Sequence, residues 1–451
     1  MSRSPKLEKL VGFFPSFSNL AESGRAVLIA KRYKEMGGRV IFFSHGGKYE
    51  FLAKENGFKI IKVNPIITEE HINEYFKIVA LETFHSKIFD EDFIYENVKE
   101  EITAFKKSKI KLLVSTNNLT CAISARAANI PLISINSDPG IFVLKIPDTL
   151  ENPFTFFFPQ ALKVQILNWF IRISKLYLKS INKISLKFGV PPFENPLDLY
   201  DGDITLVTNY LEYINIFHNQ QNFPENNYIG SILIDELFEK DVSNKISSEI
   251  KTHLKKPGKS ILLSLGSSGS KDLFLKILKV LNKTSYNVIG IYTSILEEKD
   301  LPKLNKNILL KKFVPSISKV SEFVDLAIIH GGQGTVFSTI FSKKPIIGFP
   351  MQIEQHINLE KIVGHGCGIM LSRKYFSEKK LLKSITKILN NYDKYLHNIE
   401  NLENKLLKAE GDKKAARIIF EIITKNKSHL NSILQRESIF KKKSKYKLFV
   451  E

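Results

Sequence analysis

Residues 328–336 read IIHGGQGTV, and this stretch decides the fold prediction. An apolar run ends at Ile329, His330 and two glycines follow, and apolar residues resume at Val336. A strand that passes through glycines directly into a helix directs free backbone N–H groups at one point, where the helix N-terminus attracts an anion. The stretch predicts either a phosphate-binding turn, with His330 donating a hydrogen bond to a phosphate oxygen, or an ordinary strand-to-helix turn.

A second loop lies directly downstream. Residues 344–358 read KPIIGFPMQIEQHIN, in which another apolar strand ends at Pro350 and Glu354 and Gln355 follow side by side. In open parallel sheets, ligands bind outside the carboxyl ends of the strands, where both loops are expected. A carboxylate beside an amide can hold several hydroxyl groups, as a sugar offers. The alternative is an exposed polar pair at a helix start, where glutamate is common.

The rest of the chain alternates short apolar segments with helical patterns, first up to residue 136 and again from residue 260. Such alternation indicates parallel sheets that helices cover on both faces. A charged segment, residues 235–257, precedes the second series. We therefore predict an α/β protein with two doubly wound, Rossmann-like domains. The predicted boundaries are residues 1–235, residues 236–425 and a basic tail over residues 426–451.

The composition excludes several classes of protein. The chain has 451 residues, a net charge of +20 and two cysteines, and we find no apolar run long enough to cross a membrane. Because two cysteines make no disulfide framework and no secretion signal is visible, we expect a cytoplasmic protein. The basic charge favours an anionic partner, or reflects a lysine-rich composition. Since no nucleic-acid-binding motif is present, we expect no nucleic-acid partner.

The two loops together resemble the donor signature of the UDP-glycosyltransferases. The pattern HGGxGT, followed by KPIIGFPxxxEQxxN, is similar to that of macrolide and lipid glycosyltransferases and of UDP-glucuronosyltransferase relatives. Three further segments agree in order: SLGSSG at residues 264–269, the end of residues 307–315 at FVP, and KFGVPP at residues 187–192. The resemblance covers about residues 10–425, and residues 260–370 carry its specific part.

This resemblance implies the GT-B fold, in which two Rossmann-like domains face a central cleft. The C-terminal domain would hold a UDP-sugar or similar nucleotide sugar, and the N-terminal domain a lipid or small-molecule hydroxyl acceptor. The implied activity is the transfer of a hexose-type sugar, with inversion, without a metal ion and without a cofactor. The implied donor-binding residues are Gly266, Ser267, Val314, His330, Gly331, Gly332, Gly334, Thr335, Glu354, Gln355 and Asn358.

The sequence departs from the family pattern at three places. Ser338 stands where the family commonly has a glutamate that holds the ribose, and Ser316 replaces a glutamine. The N-terminal histidine that serves as general base in many members is missing, and Glu22 takes its place in the alignment. A glutamate whose pKa is raised by burial can act as a base, but Glu22 also suits an ordinary helix start. His45, at the end of the second predicted strand, is the other candidate.

Two other functions stay open at this level. A sugar-nucleotide epimerase would use the same fold, and a degenerate, donor-binding partner subunit would explain the missing histidine. The segments 201–203 (DGD) and 90–92 (DED) mimic the Asp-x-Asp metal motif of another glycosyltransferase fold, but both suit solvated turns. We therefore expect no metal site.

A basic stripe follows in the middle of the chain. Lys175, Lys179, Lys183 and Lys187 are spaced by four residues, with apolar residues opposite. A basic amphipathic helix can lie on an anionic membrane, whereas most such helices pack on their own domain. A lysine cluster at residues 441–447 would assist the first alternative. The sequence thus allows peripheral contact with the inner face of a membrane.

Overall fold

Two parallel six-stranded sheets form the framework of the computed structural model. The structure describes residues 9–79, 87–137, 145–147, 157–173, 178–214, 223–238, 247–293, 295–406 and 410–424. The strands of the first sheet are β1 (Leu10–Pro15), β2 (Arg39–Ser44), β3 (Ile60–Lys62), β4 (Leu112–Thr116), β5 (Leu132–Asn136) and β6 (Ile204–Val207). Those of the second are β7 (Ser260–Ser264), β8 (Asn287–Ile291), β9 (Ile308–Lys311), β10 (Leu326–Ile329), β11 (Ile346–Gly348) and β12 (Gly368–Met370).

Helices cover both sheets. In the first half they are α1 (Leu20–Glu35), α2 (Glu50–Glu55), α3 (Glu69–Val79), α4 (Glu91–Ser108), α5 (Cys121–Ala127), α6 (Gln160–Ile173), α7 (Leu178–Lys187) and α8 (Leu211–Ile214). In the second half they are α9 (Ser248–Leu254), α10 (Lys271–Leu281), α11 (Ile317–Ser321), α12 (Gln333–Phe341), α13 (Ile353–Gly364), α14 (Glu378–Asn390), α15 (Tyr392–Glu403) and α16 (Gly411–Thr424). No helix of the described residues is both long and apolar enough to cross a bilayer.

The two sheets share one topology. Their strand orders are β3-β2-β1-β4-β5-β6 and β12-β11-β10-β7-β8-β9. In each sheet the order of the strands reverses beside the strand that comes first in the sequence, between β1 and β4 and between β7 and β10. In such sheets a crevice opens at the carboxyl ends of the strands where the order reverses, which is where ligands bind. The predicted α/β class with two doubly wound units is confirmed.

The core follows from the two-residue period of the strands. Phe13 and Phe42 enter one apolar cluster of the first sheet, and their neighbours Phe14 and Phe43 enter the cluster on the opposite face. Since both faces are buried, the strands read as continuous apolar runs. This is why the strands are visible in the sequence as short apolar segments.

The last helix returns to the first half of the molecule. Apolar residues of α16, among them Ile419, lie in the same cluster as the buried face of α1. Arg32 on α1 contacts Asp412 of α16 at 2.7 Å and also forms an ion pair with Glu236, in the segment before α9. The boundary at residue 425 stays a prediction, but α16 contributes to the core of the N-terminal half rather than to that of the second sheet.

The basic stripe lies on a helix whose apolar face is already covered. On α7, Ile181 and Ile184 are buried in the first domain, while Lys179 and Lys187 are exposed. Lys183 forms an ion pair of 2.5 Å with Glu91. Lys175 and the cluster at residues 441–447 lie outside the described residues. The apolar residues Ile181 and Ile184 are therefore covered by the first domain, and membrane contact through the lysine stripe stays a prediction.

We predict that the packing of α16 stabilises the N-terminal half. Ile419 is fully buried, so Ile419→Ala should lower the free energy of unfolding by about 2–5 kcal/mol through the cavity it leaves. Thermal and urea unfolding measure this loss. Lys413→Ala, on the exposed side of the same helix, is the control and should change stability by no more than about 0.5 kcal/mol. Equal effects of the two variants would contradict the placement of α16.

Candidate active site

A cavity opens between the two sheets at the carboxyl ends of their strands. Its walls come from the start of α1, from residues 232–235 between the two halves, and from four loops of the second half. Of the predicted donor-binding residues, all except Gly331 and Asn358 line it. Glu22 faces the same cavity from the first half. The structure thus brings together residues that lie more than 300 positions apart.

The start of α12 forms the floor of this cavity. The first hydrogen bond within the helix joins the Val336 N–H to the Gly332 carbonyl at 3.0 Å. The N–H groups of Gln333, Gly334 and Thr335 precede it and belong to the helix end that attracts anions. A side chain added at Gly334 would meet no atom within 4 Å, because this position faces the open cavity. The arrangement suits a phosphate group in contact with the backbone.

The ring of His330 lies between two glycines. A Cβ atom at Gly266 or at Gly332 would come within 2.5 Å of the ring. Burial lowers the pKa of His330 to about 4, and a backbone hydrogen bond with Ser264 offsets only part of this effect. The imidazole is therefore neutral at pH 7 and can act as a hydrogen-bond donor rather than as a cation.

Gly331 has a packing role. Its φ of +91° lies in the left-handed region that favours glycine, and a Cβ there would come within 2.7 Å of the Gln355 carbonyl. Gly331 therefore lets the turn pack tightly on α13. Gly331 is not among the residues that line the cavity, and its predicted contact with the donor stays a prediction.

Gln355 joins two loops of the cavity wall. Its Oε1 accepts a hydrogen bond from the Met351 N–H at 2.8 Å, and its Nε2 donates to Ser268 Oγ at 3.0 Å. Ser267, beside Ser268, is exposed to the cavity. Gln355 thus holds the glycine-serine loop in place, and Glu354 is left to face the cavity.

Asn358 supports the site from behind. Its side chain is buried, and Nδ2 donates to the Gly331 carbonyl at 3.1 Å and to Glu354 Oε1 at 3.4 Å. Asn358 is not among the residues that line the cavity but contacts Glu354, which is, and its predicted direct contact with the donor stays a prediction.

Two aromatic rings stand at the edge of the cavity. Phe313, which is 51% exposed, lies 5.2 Å from Phe238 between ring centroids, and both rings line the cavity next to Val314. Phe238 escaped prediction from the sequence because it precedes the second half and reaches Phe313 only through the fold. An exposed ring beside a phosphate-binding helix end offers a flat surface on which a nucleobase can stack.

The comparisons with known proteins agree with this geometry. Residues 260–417 match the C-terminal domain of glycosyltransferase family 28. A PGL/p-HBAD biosynthesis glycosyltransferase of Mycobacterium tuberculosis is 26% identical over 62% of this chain, and the match spans 63% of that relative's length. The 2-hydroxyacylsphingosine 1-beta-galactosyltransferase of Homo sapiens is 27% identical over 29% of this chain and 24% of its own.

Solved structures show the same fold. A glycotransferase of kitacinnamycin superposes with a TM-score of 0.63 at 15% identity, covering 91% of this chain and 98% of its own. The calicheamicin glycosyltransferase CalG4 gives a TM-score of 0.63 at 12% identity, covering 94% of this chain and 98% of its own. The chain therefore has the GT-B fold, and its residues 260–417 are similar to the C-terminal domain of glycosyltransferase family 28.

An acidic residue lines the same cavity as Ser338, which stands where the pattern that the sequence resembles has a glutamate. Asp235 lines the cavity, as does Ser338, and accepts a hydrogen bond of 2.6 Å from Ser316 Oγ. Ser316 also caps α11, since its Oγ accepts from the Lys319 N–H at 3.1 Å. No local sequence pattern marks Asp235, because its partner Ser316 lies 81 residues away along the chain.

Glu22 lies in the first turn of α1 and is almost buried. Its Oε1 accepts a hydrogen bond of 3.1 Å from Arg25, and its Oε2 has no hydrogen-bond partner in the described part of the chain. Burial raises the pKa of Tyr75, hydrogen bonds with Tyr200 and Asn117 oppose this effect, and the charges of Glu22 and Glu354 add to it.

His45 is held by other groups. Its Nδ1 contacts the carbonyl oxygens of Val63 and Pro65 at 3.1 and 3.0 Å, so this nitrogen carries a proton. Its Nε2 contacts Oε1 of the buried Glu101 at 2.8 Å. Both nitrogens are therefore engaged, and the geometry does not fit the predicted alternative that His45 accepts a proton from a substrate.

A second, mostly apolar cavity adjoins the first. It lies at the carboxyl ends of the first sheet and shares Ser18 with the donor-side cavity. Polar atoms enter it at a few places: Tyr75 donates to Asn117 Oδ1 at 3.3 Å, and the buried Asn97 has an Oδ1 without a hydrogen-bond partner among the described residues. Its apolar lining comes from Phe14, Phe17, Ile67, Ile72, Phe93 and Leu119.

The Asp-x-Asp segments have structural contacts. Asp203 Oδ2 accepts a hydrogen bond from the Leu132 N–H at 2.7 Å, and Asp201 Oδ1 accepts one from Thr205 Oγ1 at 3.2 Å. Asp90 caps α4. In the described ranges, no cluster of three or more His, Cys, Asp or Glu residues is placed to hold a metal ion.

We predict that the start of α12 binds the phosphates of a nucleotide. Gly334→Leu should fill the space before the helix end and weaken UDP binding by about 1–3 kcal/mol, a typical cost for lost charge-assisted hydrogen bonds. Isothermal titration calorimetry measures the change. Gly334→Ala is the matched variant and should weaken binding less, since its methyl group meets no protein atom. Unchanged affinity in the leucine variant would refute the assignment.

Proposed function

We propose that the chain transfers a hexose-type sugar from a UDP-sugar, or a similar nucleotide sugar, to the hydroxyl of an apolar acceptor. One observation carries the proposal: the free N–H groups of α12 and the carboxylates of Glu354 and Glu22 surround a single cavity. This cavity offers separate groups for a diphosphate, a sugar and a proton. Because the match to the first of the curated relatives spans only part of that protein, the activity of the whole protein rests on this geometry.

The donor fits the cavity in one direction. The diphosphate would lie at the start of α12, with Gly266 and Ser267 on the facing loop and the neutral His330 as a donor. The base would stack at Phe313 beside Val314, and the ribose hydroxyls would meet Asp235 and Ser338. Glu354 would then hold the sugar hydroxyls. A solved neighbour, the spinosyn rhamnosyltransferase SpnG, is described as complexed with thymidine diphosphate, so UDP and dTDP are the nucleotides to compare.

The acceptor would enter from the first half. The second cavity is lined mainly by apolar side chains and shares Ser18 with the first cavity, which Glu22 lines. An acceptor with an apolar body, either a lipid or a small molecule, would leave its hydroxyl near the carboxylate. Two relatives fit such a substrate class by name: a galactosyltransferase acting on 2-hydroxyacylsphingosine and a solved rhamnosyltransferase complexed with the spinosyn aglycone.

The reaction we propose is a single displacement. Glu22 Oε2 takes the proton of the acceptor hydroxyl as its oxygen forms the new bond to the anomeric carbon. The bond from that carbon to the diphosphate breaks, and the departing charge meets the N–H groups of α12. Attack from the face opposite the diphosphate inverts the anomeric configuration.

A donor-binding subunit without turnover is the second candidate. It is favoured by the ion pair between Glu22 and Arg25, because this contact already occupies one oxygen of the carboxylate. Donor binding would then persist without transfer to any acceptor. Measuring binding and turnover on the same preparation separates the two functions.

We predict that Glu22 acts as the general base. Glu22→Gln should keep donor affinity and lower the acceptor-dependent rate by at least about a hundredfold, within the usual contribution of a positioned base. The rate is measured as release of the nucleotide diphosphate at saturating donor. Glu55→Gln, which changes an exposed glutamate of the same half, is the control. A nearly normal rate in Glu22→Gln would remove the residue from the mechanism.

We also predict that turnover survives chelation. The proposal assigns the leaving diphosphate to the backbone N–H groups of α12, so a divalent cation is not required. Activity with and without EDTA, in protein purified without added metal, tests this. Loss of activity that added magnesium or manganese restores would contradict the proposal.

A further inference from the structure

Helix α6 carries large apolar side chains on its solvent side. They recur at intervals of four, three and one residues, which places them in one stripe along the helix. The stripe consists of Leu162, Ile166, Trp169 and Phe170, which are 40%, 54%, 58% and 39% exposed. Phe157 and Phe158, directly before the helix, are 88% and 53% exposed. These six make up half of the twelve exposed large hydrophobic side chains in the described ranges, and they occupy only residues 157–170.

The opposite side of α6 faces the protein and fixes the position of the stripe. Lys163 and Asn168 are buried, and Leu167 packs with Ile357 and Ile353 of α13. Ile353 directly precedes Glu354, the carboxylate that faces the donor-side cavity. A helix with its side chains is about 10 Å across, so the exposed stripe lies about one helix diameter from the sugar end of the cavity.

The charged residues of α6 itself are all basic. The sequence of α6 contains Lys163 and Arg172 but neither aspartate nor glutamate. The next helix, α7, exposes Lys179 and Lys187, and the whole chain has a net charge of +20. Aromatic and aliphatic side chains flanked by lysines, without acidic residues, are typical of helices that lie in the interface of an anionic membrane.

We propose that α6 docks the chain on an anionic lipid surface, with Leu162, Ile166 and Trp169 inserted among the acyl chains. The lysines of α7 would then meet the lipid headgroups. This inference rests on the proposed function, since docking beside Glu354 would bring a lipid hydroxyl to the cleft. It differs from the prediction made from the lysine stripe, because the apolar contact is assigned to α6 and α7 contributes charge only.

Trp169 reports on this contact directly, because it is the only tryptophan of the chain. The full chain is titrated with vesicles of phosphatidylcholine, with and without phosphatidylglycerol. With the anionic lipid, the emission of Trp169 should shift to shorter wavelength, and brominated acyl chains should quench it. Unshifted emission of vesicle-bound protein would show that another surface binds, which overturns the proposal.

Variants separate the apolar from the electrostatic contribution. Leu162→Ser combined with Ile166→Ser keeps the reporter and should lower vesicle partitioning at least about tenfold, given the free energy of burying such side chains. Phe51→Ser, at a side chain 40% exposed on α2, is the control and should have no effect. Lys179→Gln with Lys187→Gln should weaken binding at low salt only, whereas the contribution of α6 should persist at high salt.

Two further measurements make the outcome decisive. Sedimentation velocity tests a second copy of the chain as the occupant of the stripe. A dimer that Leu162→Ser with Ile166→Ser abolishes, without any vesicle binding, would overturn the lipid proposal. UDP binding by calorimetry, measured on the same proteins, tests the proposed function independently. Vesicle binding without nucleotide binding, or the reverse, shows which of the two proposals fails.

Discussion

The donor side of the molecule depends on one constraint: the start of α12 must present free N–H groups at the switch point of the second sheet. This requires a turn of glycines between β10 and α12, since a side chain at Gly331 would collide with α13 and one at Gly332 with the His330 ring. The same ring excludes a side chain at Gly266 on the facing loop. The helix end, the histidine and the glycine-serine loop therefore form one unit, in which a change at one position displaces the others.

The two halves are joined at the places where this unit needs support. Gln333, the first residue of α12, donates from Nε2 to the Ser137 carbonyl at 3.0 Å and accepts from Thr208 Oγ1 at 3.2 Å, so residues of the first half hold the start of the helix. Tyr213 on α8 donates to the Asn358 carbonyl at 2.8 Å and thereby reaches α13. These contacts cross between the halves beside the cavity, so the geometry of the donor loops depends on the relative placement of both domains.

The sequence predicted the features that depend on neighbouring residues and missed those that depend on residues brought together by the fold. The strands, the glycine turn and the loop with Glu354 each carry their signal within a few residues, because a buried parallel strand is apolar throughout and a tight turn needs glycine. Asp235 and Tyr75 reach the cavities only through the fold, and no local pattern marks them. For the same reason the sequence does not show which of α6 and α7 exposes its apolar face. Periodicity shows that a helix has an apolar face, but tertiary packing decides whether that face is covered.

The hydrogen bonds of Glu22 bear on whether this residue has a catalytic or a structural role. A buried acceptor without a hydrogen bond costs about 1–3 kcal/mol, so a structural glutamate would be expected to use both oxygens. Here Arg25 occupies Oε1 only, while Oε2 has no partner in the described residues and the side chain lines the cavity.

An acceptor hydroxyl entering from the apolar cavity would donate a hydrogen bond to that oxygen and, by the same contact, place its own oxygen for attack. The ion pair with Arg25 fixes the orientation of the carboxylate, and in a displacement the proton need move only as the new bond forms. The binding of an acceptor hydroxyl therefore explains the arrangement of the Glu22 carboxylate better than a purely structural role does.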